Sequence, residues 1–283
     1  MKRIKQRIKT GIFLILCFFV PSFCIPNTSA VSASTNPPDT TLNATLESTA
    51  TESAWLALVH YRPRIFGIFG GYKSSIDSDA FFLAKNGKTN PLAELRATIN
   101  LFNNPMGENE KKCLFPARYT FLKQRGLIQA DFPICTEYEQ FRKDLNPAGI
   151  TLIYTDAYMN NPSSLFGHTL MRIDIPEGKT QLVAHGMNYG AYVDEKTAGA
   201  LYAVYGLTGG YWGGFTIKPY YQIINTYNNL ENRDIWEYSL NLTPQERDFF
   251  VAHLCEVRHT QTRYYFFIKN CSYFLMEVMA AVR

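Results

Sequence analysis

The sequence predicts an α+β domain with a small antiparallel sheet and an N-terminal helical region. Hydrophobic residues make up 46% of the 283 residues, which suits one large domain or two small ones. Alternating strands begin near residue 150, a capped helix follows them, and a final strand leads into an amphipathic helix at Cys271. This order of elements is typical of an α+β domain.

The N-terminal region has the layout of a secretory signal peptide that covers residues 1–33. Five basic residues precede an apolar stretch over residues 11–25, and small residues at 28–33 fit a cleavage site. The alternative is an uncleaved N-terminal anchor, although the apolar run is short for a membrane span. Removing the five basic residues turns the formal net charge of +4 into −1. Because no basic cluster remains, we expect no nucleic-acid partner.

Three further regions follow this signal peptide. Residues 34–53 are rich in Ser and Thr and predict a disordered linker. Residues 54–145 combine apolar helical stretches with turns and predict a helical N-terminal part of the domain. Residues 146–283 hold the predicted sheet and the Cys271 helix. The sequence ends at Arg283, apparently within the Cys271 helix, so we expect a truncated gene product.

The second half of the chain alternates between apolar and polar residues, which predicts strands. We place these strands at residues 150–154, 168–175, 181–189 and 236–242. A turn at residues 176–178 makes the second and third strands a hairpin, so that His168 and His185 lie on neighbouring strands. Thr243-Pro244-Gln245-Glu246 is a capping box and predicts a helix that continues to about Arg258.

Cys271 is the strongest candidate for a reactive side chain. The aromatic run at residues 264–268 predicts a buried strand, and apolar residues from Cys271 onward follow helical spacing, at positions 271, 274, 275, 278 and 282. Asn270 is the predicted N-cap. In the first turn of a helix, unpaired backbone N–H groups and the helix dipole favour a thiolate. The sequence therefore predicts a nucleophilic cysteine.

Four cysteines remain after signal cleavage. In an oxidising compartment we expect Cys113 and Cys135, which lie in loop-like sequence near prolines, to form a disulfide. Cys255 lies on the apolar side of a helix and is predicted to be a buried thiol, which leaves Cys271 free. The alternative is a Cys255–Cys271 bridge, in which Cys271 is not a nucleophile.

Histidines supply the candidate general bases. His168 follows a glycine and opens a strand, and His185 lies on the partner strand, so a thiol nucleophile and a base come within reach of each other. The alternative is that His168 is a satisfied core histidine and Cys271 a small buried hydrophobe. His60 is predicted to be structural, and the spacing of His253 and His259 matches no zinc motif. We therefore expect neither a metal nor a cofactor.

The glycine-rich stretch Gly206–Phe215 has two interpretations. It lacks the Gly-Lys-Ser/Thr ending of a phosphate loop. Glycines interleaved with Leu, Tyr, Trp and Phe suit a mobile apolar flap over the cysteine. A structural turn is the alternative.

Several segments resemble a known family of bacterial envelope proteins. Residues 161–169, Asn-Pro-Ser-Ser-Leu-Phe-Gly-His-Thr, resemble the Lnb N-terminal periplasmic domain family. Five more segments resemble the same family, at residues 113–119, 205–211, 219–221, 231–238 and 265–273. The resemblance covers residues 55–283.

The resemblance implies a papain-like thiol domain of the permuted NlpC type over residues 146–283. Mapped onto this sequence, Cys271 is the nucleophile, His168 the general base, and Asn270 the residue that caps the helix or positions the site. The family pattern does not hold a histidine at the position of His185, so Asn188 is a rival for orienting His168.

The resemblance also implies an activity, partners and a location. The characterised activity of the family is lipoprotein N-acylation, which moves a fatty acyl chain from a phospholipid to a lipoprotein's amino group. The implied partners are a phospholipid acyl donor, a lipoprotein acceptor and a membrane surface, and the implied location is the periplasm, in association with the membrane. The alternatives are an NlpC-type cysteine amidase or peptidase that acts on cell-wall peptides, and a non-catalytic envelope module.

Overall fold

The computed structural model of the protein describes residues 37–64, 70–105, 107–158, 167–193 and 200–283. The predicted signal peptide and most of the 161–169 segment lie outside these residues. The α-helices are α1 Pro37–Thr51, α2 Ser53–Leu58, α3 Pro91–Asn103, α4 Asn109–Cys113, α5 Pro116–Gln124, α6 Thr136–Leu145, α7 Ala200–Thr208, α8 Tyr220–Ile224, α9 Pro244–Val257 and α10 Cys271–Val282. The strands are β1 Tyr61–Pro63, β2 Tyr72–Ser74, β3 Gly149–Thr155, β4 His168–Asp174, β5 His185–Tyr192, β6 Tyr211–Pro219, β7 Ile235–Leu240 and β8 Gln261–Tyr264.

Six of the strands form one antiparallel sheet, with the order β7-β3-β4-β5-β6-β8. The hairpin predicted between residues 168 and 189 is confirmed, because β4 pairs with β5 in the register Met171↔Met187 and Ile173↔His185. Strands β1 and β2 form a separate two-stranded hairpin. The predicted α+β class with a small antiparallel sheet and an N-terminal helical region is therefore confirmed.

The two faces of the sheet have different neighbours, because successive side chains along a strand point to opposite faces. One face carries Met171, Met187 and Tyr189, which belong to the main hydrophobic core together with α9 and α10. The other face carries Leu170, which packs under Tyr220 and Ile223 of α8. Gly186 lies beneath this helix, where a Cβ atom would come within 2.2 Å of Ile223 Cδ1.

The N-terminal helices are fixed to the rest of the domain by buried charges. Arg118 on α5 is fully buried and donates to Glu94 of α3 at 2.6 Å, and it also pairs with Glu256 of α9. His60 lies just before β1 and hydrogen bonds to Glu277 of α10 at 3.2 Å. Removing a partner from a buried ion pair is costly, so these contacts hold the helical region against α9 and α10.

The disordered linker predicted for residues 34–53 is wrong over the part that the structure describes. Residues 37–51 form α1, and Leu46 and Ala50 are buried against the main core. These two residues are four positions apart, so they lie on one side of the helix. Tertiary burial of this short apolar stripe outweighs the poor helix propensity of the Ser and Thr residues.

In the region around the glycine-rich stretch, one predicted strand is too long, and one of the two interpretations of the stretch itself is wrong. The buried strand predicted at residues 264–268 ends at Tyr264, and Phe267 and Ile268 lie in an exposed turn. The Gly206–Phe215 stretch is not a flap, because its first half ends α7 and its second half forms β6, which pairs with β5 and β8. Gly209 supplies the turn between them with a φ of +78°.

The cysteine predictions agree with the structure. Cys113 and Cys135 form a disulfide, and Cys255 and Cys271 are both free and buried. The alternative Cys255–Cys271 bridge is therefore absent. The capping box at Thr243 and Glu246 is present as predicted at the start of α9.

Candidate active site

Cys271 is the first residue of α10, as the helical spacing predicts. Asn270 is the N-cap, and its side-chain oxygen accepts a hydrogen bond from the Tyr273 backbone N–H at 3.2 Å. The Asn270 amide also donates to the Phe266 carbonyl at 3.1 Å, which fixes the preceding turn to the helix. Ser272 donates to Thr169 of β4 at 2.9 Å. These bonds hold the first turn of α10 beside the first residues of β4.

His168 is the first residue of β4 and follows Gly167, which has a φ of +81°. A Cβ atom at Gly167 would lie 2.6 Å from both the Thr155 carbonyl oxygen and the Tyr154 hydroxyl. A side chain therefore does not fit at this position, and the backbone conformation also favours glycine. The Gly-His pair thus delivers the imidazole to the end of the sheet, where α10 begins.

The structure brings three side chains into one hydrogen-bonded row. The Cys271 thiol hydrogen bonds to the His168 imidazole. His168 Nε2 lies 2.5 Å from Asn188 Oδ1, which leaves Nδ1 to face the thiol. Because an amide oxygen only accepts, Nε2 carries the proton and Nδ1 is free to take one from sulfur. Thiol, imidazole and amide therefore lie in the order that catalysis by a cysteine requires.

The electrostatics of this row favour an ion pair between Cys271 and His168. Burial raises the pKa of the Cys271 thiol, but the hydrogen bond and charge of His168 outweigh burial and lower the pKa from 9.0 to about 7. Hydrogen bonds from the Thr169 backbone and Ser272 lower it further. Burial alone would lower the pKa of the His168 imidazole. The hydrogen bonds of the imidazole to Cys271 and Asn188 outweigh burial, so the pKa of His168 is raised above its ordinary value. The thiol is thus poised to ionise near neutral pH.

Of the two rivals for orienting His168, the structure brings Asn188 to the site and leaves His185 away from it. Both residues lie on β5, but they are three positions apart and their side chains point to opposite faces of the sheet. His185 pairs with Ile173, near the far end of β4 from His168. The hairpin places the two histidines on neighbouring strands, as predicted, without bringing their side chains together.

Sequence reasoning missed three residues that surround the row. Tyr227 packs against the His168 ring with centroids 5.9 Å apart, and the Arg233 guanidinium lies 4.8 Å from the Tyr227 ring centroid. Arg233 is buried and donates to Thr155 and to the Asp156 carbonyl at 2.6 Å each. The Cys271 backbone N–H donates to the Tyr264 hydroxyl oxygen, and burial raises the pKa of Tyr264. Only Arg233 lies in a segment that the resemblance had marked.

A cleft of about 170 Å³ opens beside His168 and Asn188, and Tyr264 and Phe266 form part of its wall. Tyr202 of α7 also lines this cleft. Beyond it lies a group of exposed apolar residues that we call the apolar rim, and it consists of Leu201, Val204, Tyr205, Leu207, Phe267 and Ile268. Phe267 and Ile268 are 65% and 67% exposed, and the four α7 residues are 43% to 59% exposed. The Phe266 N–H donates to the Gly206 carbonyl, which joins the two halves of the rim.

The described residues contain neither a metal-binding cluster nor a helix that could span a membrane. In residues 37–64, 70–105, 107–158, 167–193 and 200–283, there is no group of three or more His, Cys, Asp or Glu residues that could hold a metal ion. Among the helices of the same residues, none is long and apolar enough to cross a membrane.

Two family models match different parts of the chain. The family model for the Lnb N-terminal periplasmic domain matches residues 137–283, which include Cys271, His168 and Asn188. A model for a domain of unknown function (DUF7843) matches residues 47–125, and residues 113–119 lie within this second match and outside the first. No curated protein matches, and no solved structure matches.

Since the first match covers more than half of the sequence, the chain belongs to the Lnb N-terminal periplasmic domain family. It is an envelope protein with an exported, periplasmic location.

Proposed function

We propose that this chain is a cysteine-dependent acyltransferase of the envelope. The observation that carries the proposal is the hydrogen-bonded row Cys271–His168–Asn188, with a thiol pKa of about 7 at the start of α10. A buried but inert cysteine has a raised pKa, as Cys255 does, at about 11. Of the two free cysteines in the described residues, the one beside a histidine has the properties of a nucleophile.

In the first half of the reaction, His168 takes the proton of the Cys271 thiol, and the thiolate attacks an ester carbonyl of a phospholipid. A tetrahedral intermediate forms. Its collapse breaks the ester C–O bond, and the leaving lysophospholipid oxygen takes the proton from His168. The product of this half is a fatty acyl thioester on Cys271.

In the second half, a primary amine attacks the thioester carbonyl. His168 accepts a proton from the attacking nitrogen and returns it to the departing Cys271 sulfur, so an amide forms and the enzyme is regenerated. The amine that we propose is the N-terminus of a lipoprotein, which is the acceptor in the characterised family activity. If water attacks instead, the same thioester is hydrolysed.

The start of α10 also holds donors for the negative charge that develops on the carbonyl oxygen. The Cys271 backbone N–H lies at the helix N-terminus, next to the protonated Tyr264 hydroxyl. Preorganised donors of this kind stabilise the oxyanion of an acyl transfer. We assign the Tyr264 hydroxyl to this role, because its oxygen accepts from the Cys271 N–H and its own proton can be donated to the oxyanion.

The surroundings of the cleft support an acyl substrate. A cleft of about 170 Å³ suits an ester group and the first part of a chain, and the apolar rim, whose residues adjoin the wall residues Tyr202 and Phe266 along the chain, suits the remainder. Exposed apolar patches next to a cleft are typical of sites that bind partners or membranes. We therefore propose that the apolar rim faces the membrane surface and that the chain takes its donor lipid there.

The test offers the protein an acyl acceptor in one reaction and a peptide substrate in another. The protein is incubated with phospholipid vesicles and either a diacylated lipopeptide with a free N-terminus or a cell-wall peptide, and the products are identified by mass spectrometry. The proposal predicts a triacylated lipopeptide with the wild type and none with Cys271→Ala. Cleavage of the cell-wall peptide without lipopeptide acylation would overturn the proposal and indicate a cysteine amidase or peptidase instead.

A further inference from the structure

A second cavity lies directly behind the active-site cleft. It encloses about 190 Å³ and shares two lining residues with the cleft, Asn188 and Tyr227. The active-site cleft extends from these residues towards Tyr202 of α7, and the second cavity extends from them towards Lys218 of β6. Asn188 and Tyr227 therefore separate two adjoining spaces on the same face of the sheet.

The lining of the second cavity suits an anion. Lys218 provides a positive charge, and Thr216 provides a hydroxyl that can donate a hydrogen bond. The Gln222 amide donates one hydrogen bond to the Tyr221 hydroxyl at 3.1 Å, which leaves its second N–H for a ligand. The lining includes no Asp or Glu. Among the described residues, no carboxylate lies within ion-pair distance of Lys218, whereas Arg172 on the same sheet face is neutralised by Asp174 and Glu237. Lys218 is exposed, and it lines this cavity without a carboxylate partner among the described residues.

The register of the sheet sets the offset between this cation and Asn188 of the catalytic row. Asn188 of β5 pairs with Thr216 of β6, and Lys218 lies two residues further along and pairs with Gly186. Two residues of a strand span about 7 Å. The Lys218 cavity therefore adjoins the catalytic row at Asn188, the end of the row that lies away from Cys271.

We propose that the cavity at Lys218 is a phosphate subsite for the headgroup of a glycerophospholipid donor. This inference rests on the proposed function and adds to it the way in which the donor is held. The apolar rim, the cleft and the Lys218 cavity follow one another in the order of acyl chain, ester and phosphate. Lys218, Thr216 and Gln222 bind the phosphate and hold the ester carbonyl against Cys271.

Direct binding tests the subsite without any need for turnover. The probes are glycerophosphoglycerol, which has the phosphodiester but no acyl chains, and inorganic phosphate, each followed by phosphorus NMR line broadening on addition of the protein. We expect the Kd for glycerophosphoglycerol to rise about tenfold in Lys218→Ala, as for the loss of a charge-assisted hydrogen bond. Lys218→Arg retains binding, and the exposed control Lys179→Ala matches the wild type.

Three results would overturn the subsite. One is the absence of broadening with either probe, and another is equal broadening by the wild type and Lys218→Ala. The third is a clear preference for inorganic phosphate over the phosphodiester, because the cavity would then hold a free phosphate and not a lipid headgroup.

A kinetic comparison connects the subsite to the reaction. The KM of Cys271 acylation is measured with short-chain dihexanoylphosphatidylglycerol and with dihexanoylglycerol, which lacks the phosphate. Lys218→Ala is expected to raise the KM for the phospholipid about tenfold more than the KM for the neutral lipid. Equal effects on both donors would contradict headgroup recognition. Phosphodiester binding that depends on Lys218, in a protein that forms no acyl-enzyme, would uphold the subsite and refute the proposed function.

Discussion

Replacing His168 by Ala is the most informative perturbation of the candidate site. The pKa of Cys271 is about 7 because the bond and charge of His168 outweigh the effect of burial. Without the imidazole, burial is the largest remaining effect and outweighs the hydrogen bonds from Thr169 and Ser272, so the pKa returns to its ordinary value of 9.0 or above. At pH 7 the thiolate fraction then falls from about one half to about 1% or less, which corresponds to an approximately 50-fold loss of thiolate.

The assay is the pH dependence of alkylation of Cys271 by iodoacetamide, followed by peptide mass mapping. We expect the rate in the wild type to rise with pH through a midpoint of about 7, and the midpoint in His168→Ala to lie at or above 9.0. Cys255, whose pKa is raised to about 11, is the slow internal control. Equal midpoints in the wild type and the variant, with native circular dichroism for both, would refute the assigned coupling.

Three other predictions concern orientation and stability. Asn188→Ala removes the acceptor of His168 and lowers the rate of Cys271 acylation about 10- to 100-fold, whereas His185→Ala, on the opposite face of the sheet, changes the rate less than about twofold; equal losses would contradict the geometry. Arg118→Met leaves two buried carboxylates unpaired and lowers the free energy of unfolding in urea by about 3–5 kcal/mol, and an unchanged midpoint would argue against the buried ion pairs. Replacing Cys113 and Cys135 by Ser lowers the free energy of unfolding by about 3 kcal/mol, because the disulfide no longer closes a loop in the unfolded chain. The reduced wild-type protein should lose the same amount of stability, and a smaller loss there would contradict the disulfide as the cause.

The sequence predicts those features of the site that depend on neighbouring residues. The start of α10 follows from the Asn270 cap and the apolar spacing that begins at Cys271, and both signals are local. The alternation in β4 places His168 on the correct face of the strand. The glycine before His168 is also visible in the sequence, although its reason, the approach of Thr155 and Tyr154, is seen only in the structure.

The parts that the sequence did not predict depend on pairing between distant segments. Asn188 and His185 both lie on the strand next to His168, and only the register and the side-chain alternation decide which of them reaches it. Tyr227 and Tyr264 come to the site from a π-helical turn at Asn225–Leu230 and from an edge strand. No local pattern signals these positions, because hydrophobic periodicity reports burial and does not identify the partner.

Errors in the helical and strand predictions have a similar origin. The region around α1 has the composition of a linker, and only burial of Leu46 and Ala50 against the core makes it a helix. The aromatic run after Tyr264 has the composition of a buried strand, yet the chain turns there to reach Asn270. Phe267 and Ile268 thereby become exposed at the apolar rim, which the sequence alone did not indicate.

The central claim is that Cys271 carries an acyl group during turnover. The most direct measurement is the intact mass of the protein after incubation with phospholipid vesicles, with peptide mapping and hydroxylamine treatment, beside Cys271→Ala and His168→Ala. The account predicts a fatty acyl adduct on Cys271 of the wild type that hydroxylamine removes and that neither variant forms. Absence of the adduct in a wild-type protein whose Cys271 is still readily alkylated would contradict it.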